Sequence, residues 1–289
     1  MTADLALFEA ERPQLIALCY RMLGEKAEAE DAVQDTWLRW ERADRSEIEN
    51  PGAWLRRTAT RIAIDALRSA RMRRETYPGP WLPEPLVSAE GLTVEESFAL
   101  AEECELALLW AMERLSETER AAFILREAFD AGYDEISAAT GKSEAACRQL
   151  VSRAHKRLQE TGPRFDADPE EVSALLQRFL AASMARDHET VLSLFSPSAI
   201  AYTDGGKKAR AALRPLCGPD EIMHVMWAVM DKQTRQKISW SLEAGRANGS
   251  PTIVRRVGDI IDMVLTIAPD AQGRIAWVYS MRNPDKLPR

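Results

Sequence analysis

The side chains whose types and spacing point most directly to a chemistry are cationic, and they sit at helical intervals just past the middle of this 289-residue chain. Between residues 143 and 158, Cys147, Leu150, Val151, Ala154 and Leu158 form one apolar stripe, and Arg148, Gln149, Ser152, Arg153, Lys156 and Arg157 fall on the opposite face. Ser143 stands where its hydroxyl can accept from an early, otherwise unpaired N–H of that helix. A short helix opening at Asp134-Glu135-Ile136 and closing at the Thr140-Gly141 turn precedes it. The pattern predicts a helix-turn-helix whose second helix lies on DNA, its side chains satisfying phosphates and reading base edges in a major groove. Arg148, Gln149 and Arg153 are the base-reading candidates, with Ser152 beside them. Lys142, Ser143, Lys156 and Arg157 are the phosphate candidates. A solvated basic helix in an ordinary helical domain has the same pattern, so the segment alone leaves both readings open.

A second cationic face lies upstream. From Arg56 to Arg74 the chain holds seven arginines and one acid, Asp65. Asn50-Pro51-Gly52 breaks the chain and starts this helix, proline being suited to a position where its missing N–H costs nothing. Leu55, Ala59, Ile62, Ala63 and Ala66 are expected to point inward. Trp54, Arg57, Thr58, Arg61, Asp65 and Arg68 take the other side, extended by Arg71, Arg73 and Arg74. Solvated helix faces usually mix signs. A nearly all-arginine stripe with a tryptophan and a threonine fits backbone contact plus base stacking. Trp54 reads equally well as core, because tryptophan is large and mostly buried on average.

The elements that position these faces can be read around them. Residues 4–22 form a helix through Leu5, Phe8, Ile16, Cys19 and Met22, and 25–44 form an acidic one with Ala29, Val33, Thr36, Trp37 and Trp40 inward. Residues 76–93 carry four prolines, so they are expected to form an irregular linker, although Trp81, Leu82 and Leu86 should dock somewhere. Helix resumes over 94–115. Composition changes after Thr161-Gly162-Pro163: an amphipathic helix over 170–186, a helix near 188–195, a strand near 200–203 and a turn at Asp204-Gly205-Gly206. A helix near 219–231 then leads to strands near 236–244, 251–257, 259–268 and 274–281. Helices followed by an antiparallel meander indicate an α+β domain with a curved sheet wrapped around a helix. The expected organisation is a helical domain at 1–76, a linker at 77–104, a helix-turn-helix domain at 105–161, an α+β domain at 168–282 and a tail at 283–289.

Charge and cysteine content bound the function. The net charge of −7 excludes a wholesale nucleic-acid coat, but the basic faces beside a glutamate-rich stretch from Glu84 to Glu119 suit local DNA contact within an acidic protein. Cys19, Cys104, Cys147 and Cys217 are scattered without a C-x-x-C, and His155, His188 and His224 have no metal spacing, so no metal, cofactor or disulfide framework is expected. No apolar run approaches the ~20 residues a membrane helix needs. A soluble, reduced, cytoplasmic protein without membrane contact is the expectation.

Together the segments resemble a known family. AEDAVQDTWLRW at 29–40 is similar to the polymerase-clamp docking segment of extracytoplasmic-function RNA polymerase sigma factors. NPGAWLRRTATRIAIDALR at 50–68 is similar to their −10 reading region, and residues 116–158 to their −35 reading domain. WLPEP at 81–85, Asp204-Gly205-Gly206 and NPDKL at 283–287 resemble the motifs of the SigJ-like subgroup, which carries a fused SnoaL-like domain. That subgroup usually has a third glycine where this chain has Lys207, and a lysine would be strained there if the turn demanded φ > 0. The resemblance implies a multidomain fold: two all-α domains, sigma-2-like and sigma-4-like, and a C-terminal cone-shaped α+β domain. It implies core RNA polymerase and promoter DNA as partners. Asp31, Gln34, Asp35 and Leu38 would meet the polymerase. Asn50, Trp54, Arg57, Thr58, Arg61, Arg68 and Arg71 would meet a CGTC-like −10 element, and the 142–157 set a TGTCACA-like −35 element. The fused domain would take the place of a separate anti-sigma protein, packing against both DNA-binding domains through Trp81, Leu82, Pro83 and Glu84, the Asp204–Gly206 turn, and Asn283, Pro284, Asp285, Lys286 and Leu287.

Two rival readings stay open at this level. Asp204, His224, Trp227, Arg255 and Asp262 could line a pocket for a ligand, or for proton transfer on a carbon acid. The chain could also be a helix-turn-helix repressor that acts without polymerase, against which the upstream arginine stripe and the clamp-like helix both argue. A bidentate arginine–guanine contact contributes about 1–3 kcal/mol of discrimination. Arg148→Ala is therefore expected to lower promoter-specific transcription roughly five- to a hundredfold while core-polymerase binding is unchanged. Run-off transcription and a core-binding assay check the two halves, and weakened core binding would overturn the assigned role.

Overall fold

The computed structural model describes residues 3–89, 98–160 and 167–288. The chain forms two compact units: Met1–Thr76 with Val94–Cys104 and Leu108–Thr161, and Tyr77–Thr93 with Glu105–Ala107 and Gly162–Arg289.

The first unit is helical. α1 (Ala3–Leu23) fully buries Leu15, Ile16, Leu18, Cys19, Tyr20, Met22 and Leu23. α2 (Lys26–Arg42) buries Ala29, Val33, Thr36 and Trp40, while Trp37 is half-buried with its ring 4.8 Å from that of Phe8. α3 (Pro51–Arg74) starts at Asn50, whose Oδ1 accepts from the Ala53 N–H at 3.0 Å. Leu55, Ala59, Ile62 and Ala63 are inward as expected. Ala66 is only half-buried, and Leu67 and Ala70 take over the inner face as the 3.6-residue period precesses. The continuous helix expected over 94–115 is broken into α4 (Ala99–Glu102) and α5 (Leu106–Ala111) with a 3-10 turn at Met112–Arg114; residues 94–97 lie outside the described residues. α6 (Glu117–Phe129) opens with a reciprocal capping box between Ser116 and Glu119. α7 (Tyr133–Thr140) ends at Gly141, whose φ of +70° suits glycine, and α8 (Glu144–Gln159) is capped by Ser143.

The second unit is α+β, with a mixed sheet rather than a purely antiparallel meander. Among the described residues the strands are β1 (Val87–Ser88), β2 (Phe195–Asp204), β3 (Leu216–Cys217), β4 (Ser241–Ala247), β5 (Ser250–Val257), β6 (Ile260–Pro269) and β7 (Ile275–Met281), in the order β1-β4-β5-β6-β7-β2-β3. β4 to β7 form the expected meander, but β2 runs parallel to β7. β2 begins at Phe195, five residues before the expected start, and β4 begins at Ser241 rather than 236, because the preceding helix runs on to Arg235. The proline-rich segment is not wholly irregular: Val87 and Ser88 pair with Ala247 and Arg246 on the free edge of β4. α9 (Pro169–Ala185), α10 (His188–Leu194) and α11 (Pro219–Arg235) pack on the sheet, with Phe179, Leu176, Val191, Ile253, Ile267 and Val278 at the centre of the core.

One buried polar cluster holds the first unit together. Arg120 is fully buried; its Nε donates to the Arg21 carbonyl at 2.9 Å and one terminal nitrogen binds Glu113. Arg74 donates to the other Glu113 oxygen at 2.6 Å and to the Leu23 carbonyl at 2.8 Å. Burial pushes the Glu113 carboxyl up, but Arg120 and Arg74, with Arg71 beyond, outweigh it and hold the group below its ordinary range. Such a group stabilises the fold above its unfolded pKa and loses that contribution as pH falls through the lowered folded value. Removing one partner of a buried pair typically costs about 3–5 kcal/mol. Glu113→Gln is therefore expected to lower unfolding stability by about that amount at neutral pH and to lessen the loss of stability on acidification. Urea titrations between neutral and acid pH measure both, and a cost under about 1 kcal/mol would assign the cluster the weight of a surface pair.

Candidate nucleic-acid interface and a buried linker lock

α8 presents the residues expected from the sequence. Lys142, Ser143, Arg148, Gln149, Ser152, Arg153, Lys156 and Arg157 are all exposed, and Cys147, Leu150, Val151, Ala154 and Leu158 are all buried. Some of the exposed set also have internal partners. The Ser143 hydroxyl accepts from the Ala146 N–H at 3.3 Å. Arg148 pairs with Glu144 at 3.0 Å and its guanidinium lies 4.8 Å from the Tyr133 ring centroid. Arg153 and Arg157 both reach Glu119, at 3.2 and 2.7 Å. Burial pushes Glu119 up, but Ser116 and the two arginines outweigh it and keep its carboxyl below the ordinary range. The same carboxylate thus completes the cap of α6 and anchors α8.

The cationic side of α3 is divided between solvent and interior. Arg68 is exposed beside Asp65 at 3.5 Å. Thr58, assigned to the outer face by spacing, is buried, and Trp54 is half-buried with its ring 5.4 Å from that of Trp40. The reason is that α3 is covered by α6 and α7 as well as by α1 and α2, so its polar face is narrower than a free helix would show. Arg61 donates to the Ala139 carbonyl from Nε at 3.3 Å and to the Ala138 carbonyl from a terminal nitrogen at 2.6 Å. These are last-turn carbonyls of α7, which lack helical partners and carry the negative end of its dipole. Arg56 reaches Glu135 of α7 at 3.3 Å and Glu11 of α1 at 3.8 Å. Arg71 pairs with Glu117 at 3.2 Å and donates to the carbonyls of Glu113 and Leu115. Asn50, Trp54 and Arg57 line a cleft of about 330 Å³ closed on its other side by Leu125, Glu135 and Ala138. Nothing in the spacing of the arginines signals these internal roles, since their acceptors are carbonyls and carboxylates some 40 to 80 residues away. On α2, Asp31, Gln34, Asp35 and Leu38 are all exposed, away from its buried stripe.

The second unit gathers the three short motifs into one buried lock. Asp204, at the end of β2, is fully buried. Its Oδ1 accepts from the Tyr77 hydroxyl and, at 2.9 Å, from the Gly206 N–H. Its Oδ2 accepts from the Leu82 N–H at 3.0 Å and from Lys286 Nζ at 3.1 Å. Lys286 also donates to the Leu82 carbonyl at 2.7 Å, and its Nζ lies 4.1 Å from the Trp81 ring centroid and 5.4 Å from that of Tyr77. Asn283 donates to the Tyr77 hydroxyl at 3.0 Å, and the Arg282 N–H donates to the Asp204 carbonyl at 2.7 Å. Gly206 has φ +56°, and a Cβ there would meet Asn283 at 2.6 Å. Lys207 is not among the residues of positive φ, so lysine is unstrained where the subgroup has glycine; its neighbour Lys208 pairs with Asp285. Trp81, Leu82, Pro83, Asn283, Lys286 and Leu287 are buried, Glu84 is half-buried, and Pro284 and Asp285 are exposed. Farther along, the Leu86 N–H donates to Asn248 Oδ1 at 3.0 Å, continuing the linker into β1.

The pocket expected around Asp204, His224, Trp227, Arg255 and Asp262 does not assemble from those residues. Asp204 belongs to the lock. His224 is exposed, and Trp227 packs on the end of α9, its indole N–H donating to the Ser183 carbonyl at 3.1 Å and its ring 5.5 Å from that of His188. Only Arg255 and Asp262 meet, as a bidentate pair at 2.8 and 2.6 Å. The helical phase of α11 turns residues 224 and 227 away from the face that carries Gln233, which is the one Arg255 reaches, at 3.1 Å.

Comparison with known proteins agrees with this architecture. Residues 7–73 match the family described as sigma-70 region 2, and residues 105–158 match sigma-70, region 4. The chain is 38% identical to the ECF RNA polymerase sigma factor SigJ of Mycobacterium tuberculosis, an alignment covering 98% of this chain and 93% of the relative. It is 27% identical to the probable ECF RNA polymerase sigma factor SigI of the same organism, over 98% and 94%. The crystal structure of Mycobacterium tuberculosis SigJ superposes with a TM-score of 0.76 at 30% identity, covering 98% of this chain and 97% of that one. The chain belongs to the extracytoplasmic-function RNA polymerase sigma factors, in the SigJ-like subgroup with an extra C-terminal domain, and its function is of the sigma-factor type, transcription initiation.

Proposed function

We propose that this protein directs RNA polymerase to promoters by reading a −10 element with α3 and a −35 element with α8, and that the arrangement described above is its closed, non-reading state. The observation that carries the proposal is the pair of hydrogen bonds from Arg61 of α3 to the last-turn carbonyls of α7. The two promoter elements lie about 25 base pairs apart, roughly 85 Å along the duplex at 3.4 Å per step. Modules whose helices touch cannot sit on both. Binding therefore requires α3 to exchange α7 carbonyls and Glu135 for phosphates and bases, groups that guanidinium donors also match. In the open state Arg57, Arg61, Arg68 and Arg71 would face DNA, with Asn50 and Trp54 at the cleft that receives an unstacked base. Arg148, Gln149 and Ser152 would read the −35 element, while Lys142, Ser143, Lys156 and the Glu119-anchored Arg153 and Arg157 would follow its backbone. Asp31, Gln34, Asp35 and Leu38 form the polar, partly apolar face that docks on core polymerase in the cytoplasm.

The C-terminal unit, which we read as a SnoaL-like cone, regulates this opening through the linker. Tyr77 to Ser88 joins the two sigma modules, and the Asp204–Lys286 lock and the β1–β4 pairing hold that segment against the C-terminal sheet. Holding the linker limits how far the modules can separate; a tethered contact acts at an effective concentration of about millimolar, so even a weak interface matters.

Two expected outcomes test these ideas. With donor and acceptor dyes at cysteines introduced at Ser69 and Gln159 in a Cys217→Ser background, energy transfer is expected to be high in the free protein. It should fall sharply with core polymerase and promoter DNA, and an unchanged transfer efficiency in the transcribing complex would sink the closed-state reading. Lys286→Met, or removal of residues 283–289, is expected to change transcription from a −10/−35 promoter at least severalfold and to speed protease cleavage between Tyr77 and Leu86. Unchanged output together with unchanged cleavage would remove the tail from the regulatory account.

A further inference from the structure

The lock leaves another charged cluster in the second unit unused, on the helix-covered face of the sheet. In the β5–β6 ladder Arg255 pairs with Met263 and Arg256 with Ile261, so Asp262 is an extra residue on β6. Such a bulge re-aims a side chain, and here it turns Asp262 toward Arg255, with which it makes its bidentate pair. Arg282, just beyond β7, approaches the same carboxylate at 3.5 Å and donates to the Arg210 carbonyl at 2.8 Å, but its Nε is buried with no hydrogen-bond partner among the described residues. Two guanidiniums thus share one carboxylate, leaving one positive charge uncompensated in the cluster. Burial, and then the neighbouring Arg255, lower the Arg282 pKa below its ordinary value, as expected for crowded cations.

The wall beside the cluster is apolar and partly open. Leu242 and Met263 flank Arg255 on the neighbouring strands, and both are only half-buried. On α11, Gln233 is buried against Arg255, yet Met226 and Met230, two turns and one turn earlier on the same helix face, remain half-buried, with Val229 exposed beside them. An amphipathic helix whose inner face is incompletely covered, ending at an under-neutralised arginine pair, fits a ligand with an apolar body and an anionic head. Met side chains suit such a wall, since they adapt to irregular shapes.

We propose that the C-terminal unit binds a small amphipathic carboxylate, its carboxyl group meeting Arg282 and Arg255 and its apolar body lying between α11 and the β4–β6 strands. The bulged Asp262 competes with the ligand for the two guanidiniums and so sets a weak resting affinity. The site joins the lock through the main chain, because the Arg282 N–H is the donor to the Asp204 carbonyl.

Octanoate is the probe, titrated into the full chain by calorimetry and by methionine-methyl NMR, with octan-1-ol as the head-group control. The expected result is saturable one-to-one octanoate binding, shifts in the Met226, Met230 and Met263 methyls, and octan-1-ol binding at least tenfold weaker. Arg282→Gln should weaken octanoate at least tenfold, and Asp262→Asn should tighten it severalfold, an improvement that a misfolded variant cannot produce. Absence of saturation, equal binding of octan-1-ol, or an Asp262→Asn variant that binds octanoate no better than the parent would each overturn the proposal. These readouts contain no polymerase or promoter, so their failure leaves the promoter-reading proposal standing, and the reverse.

Discussion

A carboxylate removed from water must find donors, and Asp204 is the carboxylate around which the C-terminal unit is organised. With no exposed surface it would be costly to leave without partners. Its oxygens are met by a phenol, two backbone N–H groups and a lysine nitrogen, drawn from residues 77–82, residue 206 and residue 286. The two side-chain donors each have a second engagement: Lys286 with the Leu82 carbonyl and the Trp81 ring, Tyr77 with Asn283. The linker is therefore fastened by a cooperative network whose members stay satisfied only when all are present, the condition under which buried polar groups confer specificity rather than strain.

Arginine serves two masters in the helical unit. A guanidinium presents several donors in a planar fork, which matches phosphate and base edges but also helix-end carbonyls and carboxylates. In this structure Arg61, Arg71 and Arg56 satisfy orphan carbonyls and acids of the helix-turn-helix segment, and Arg153 and Arg157 hold α8 to the capped start of α6. On the proposed reading, the same cationic stripe would serve as an internal adhesive in the closed state and as a DNA-facing surface in the open one.

Much of the fold was legible in the sequence. Helical periodicity located α1, α2, α3, α8 and α9, and the stripe Cys147-Leu150-Val151-Ala154-Leu158 is buried residue for residue. The meander strands were placed approximately, and the short motifs at 81–85, 204–206 and 283–287 meet in one place. Other features were hidden for definite reasons. Four prolines masked a two-residue strand that pairs only through β4. Thr58 sits on the polar side of its own helix but under a neighbouring one. Asp262 faces Arg255 because a bulge breaks the two-residue alternation that a sequence pattern assumes.

What the sequence by itself determined is which segments are helix or strand and which carry positive charge, since both follow from local periodicity and residue type. Tertiary structure alone decided which of those charges are occupied and which residues share a site. Arg61 and Arg68 are about two helical turns apart and chemically identical, yet one ends on α7 carbonyls and the other beside Asp65 in solvent. The difference lies in long-range packing, where acceptors scores of residues away are brought within 3 Å, and no local pattern encodes that distance.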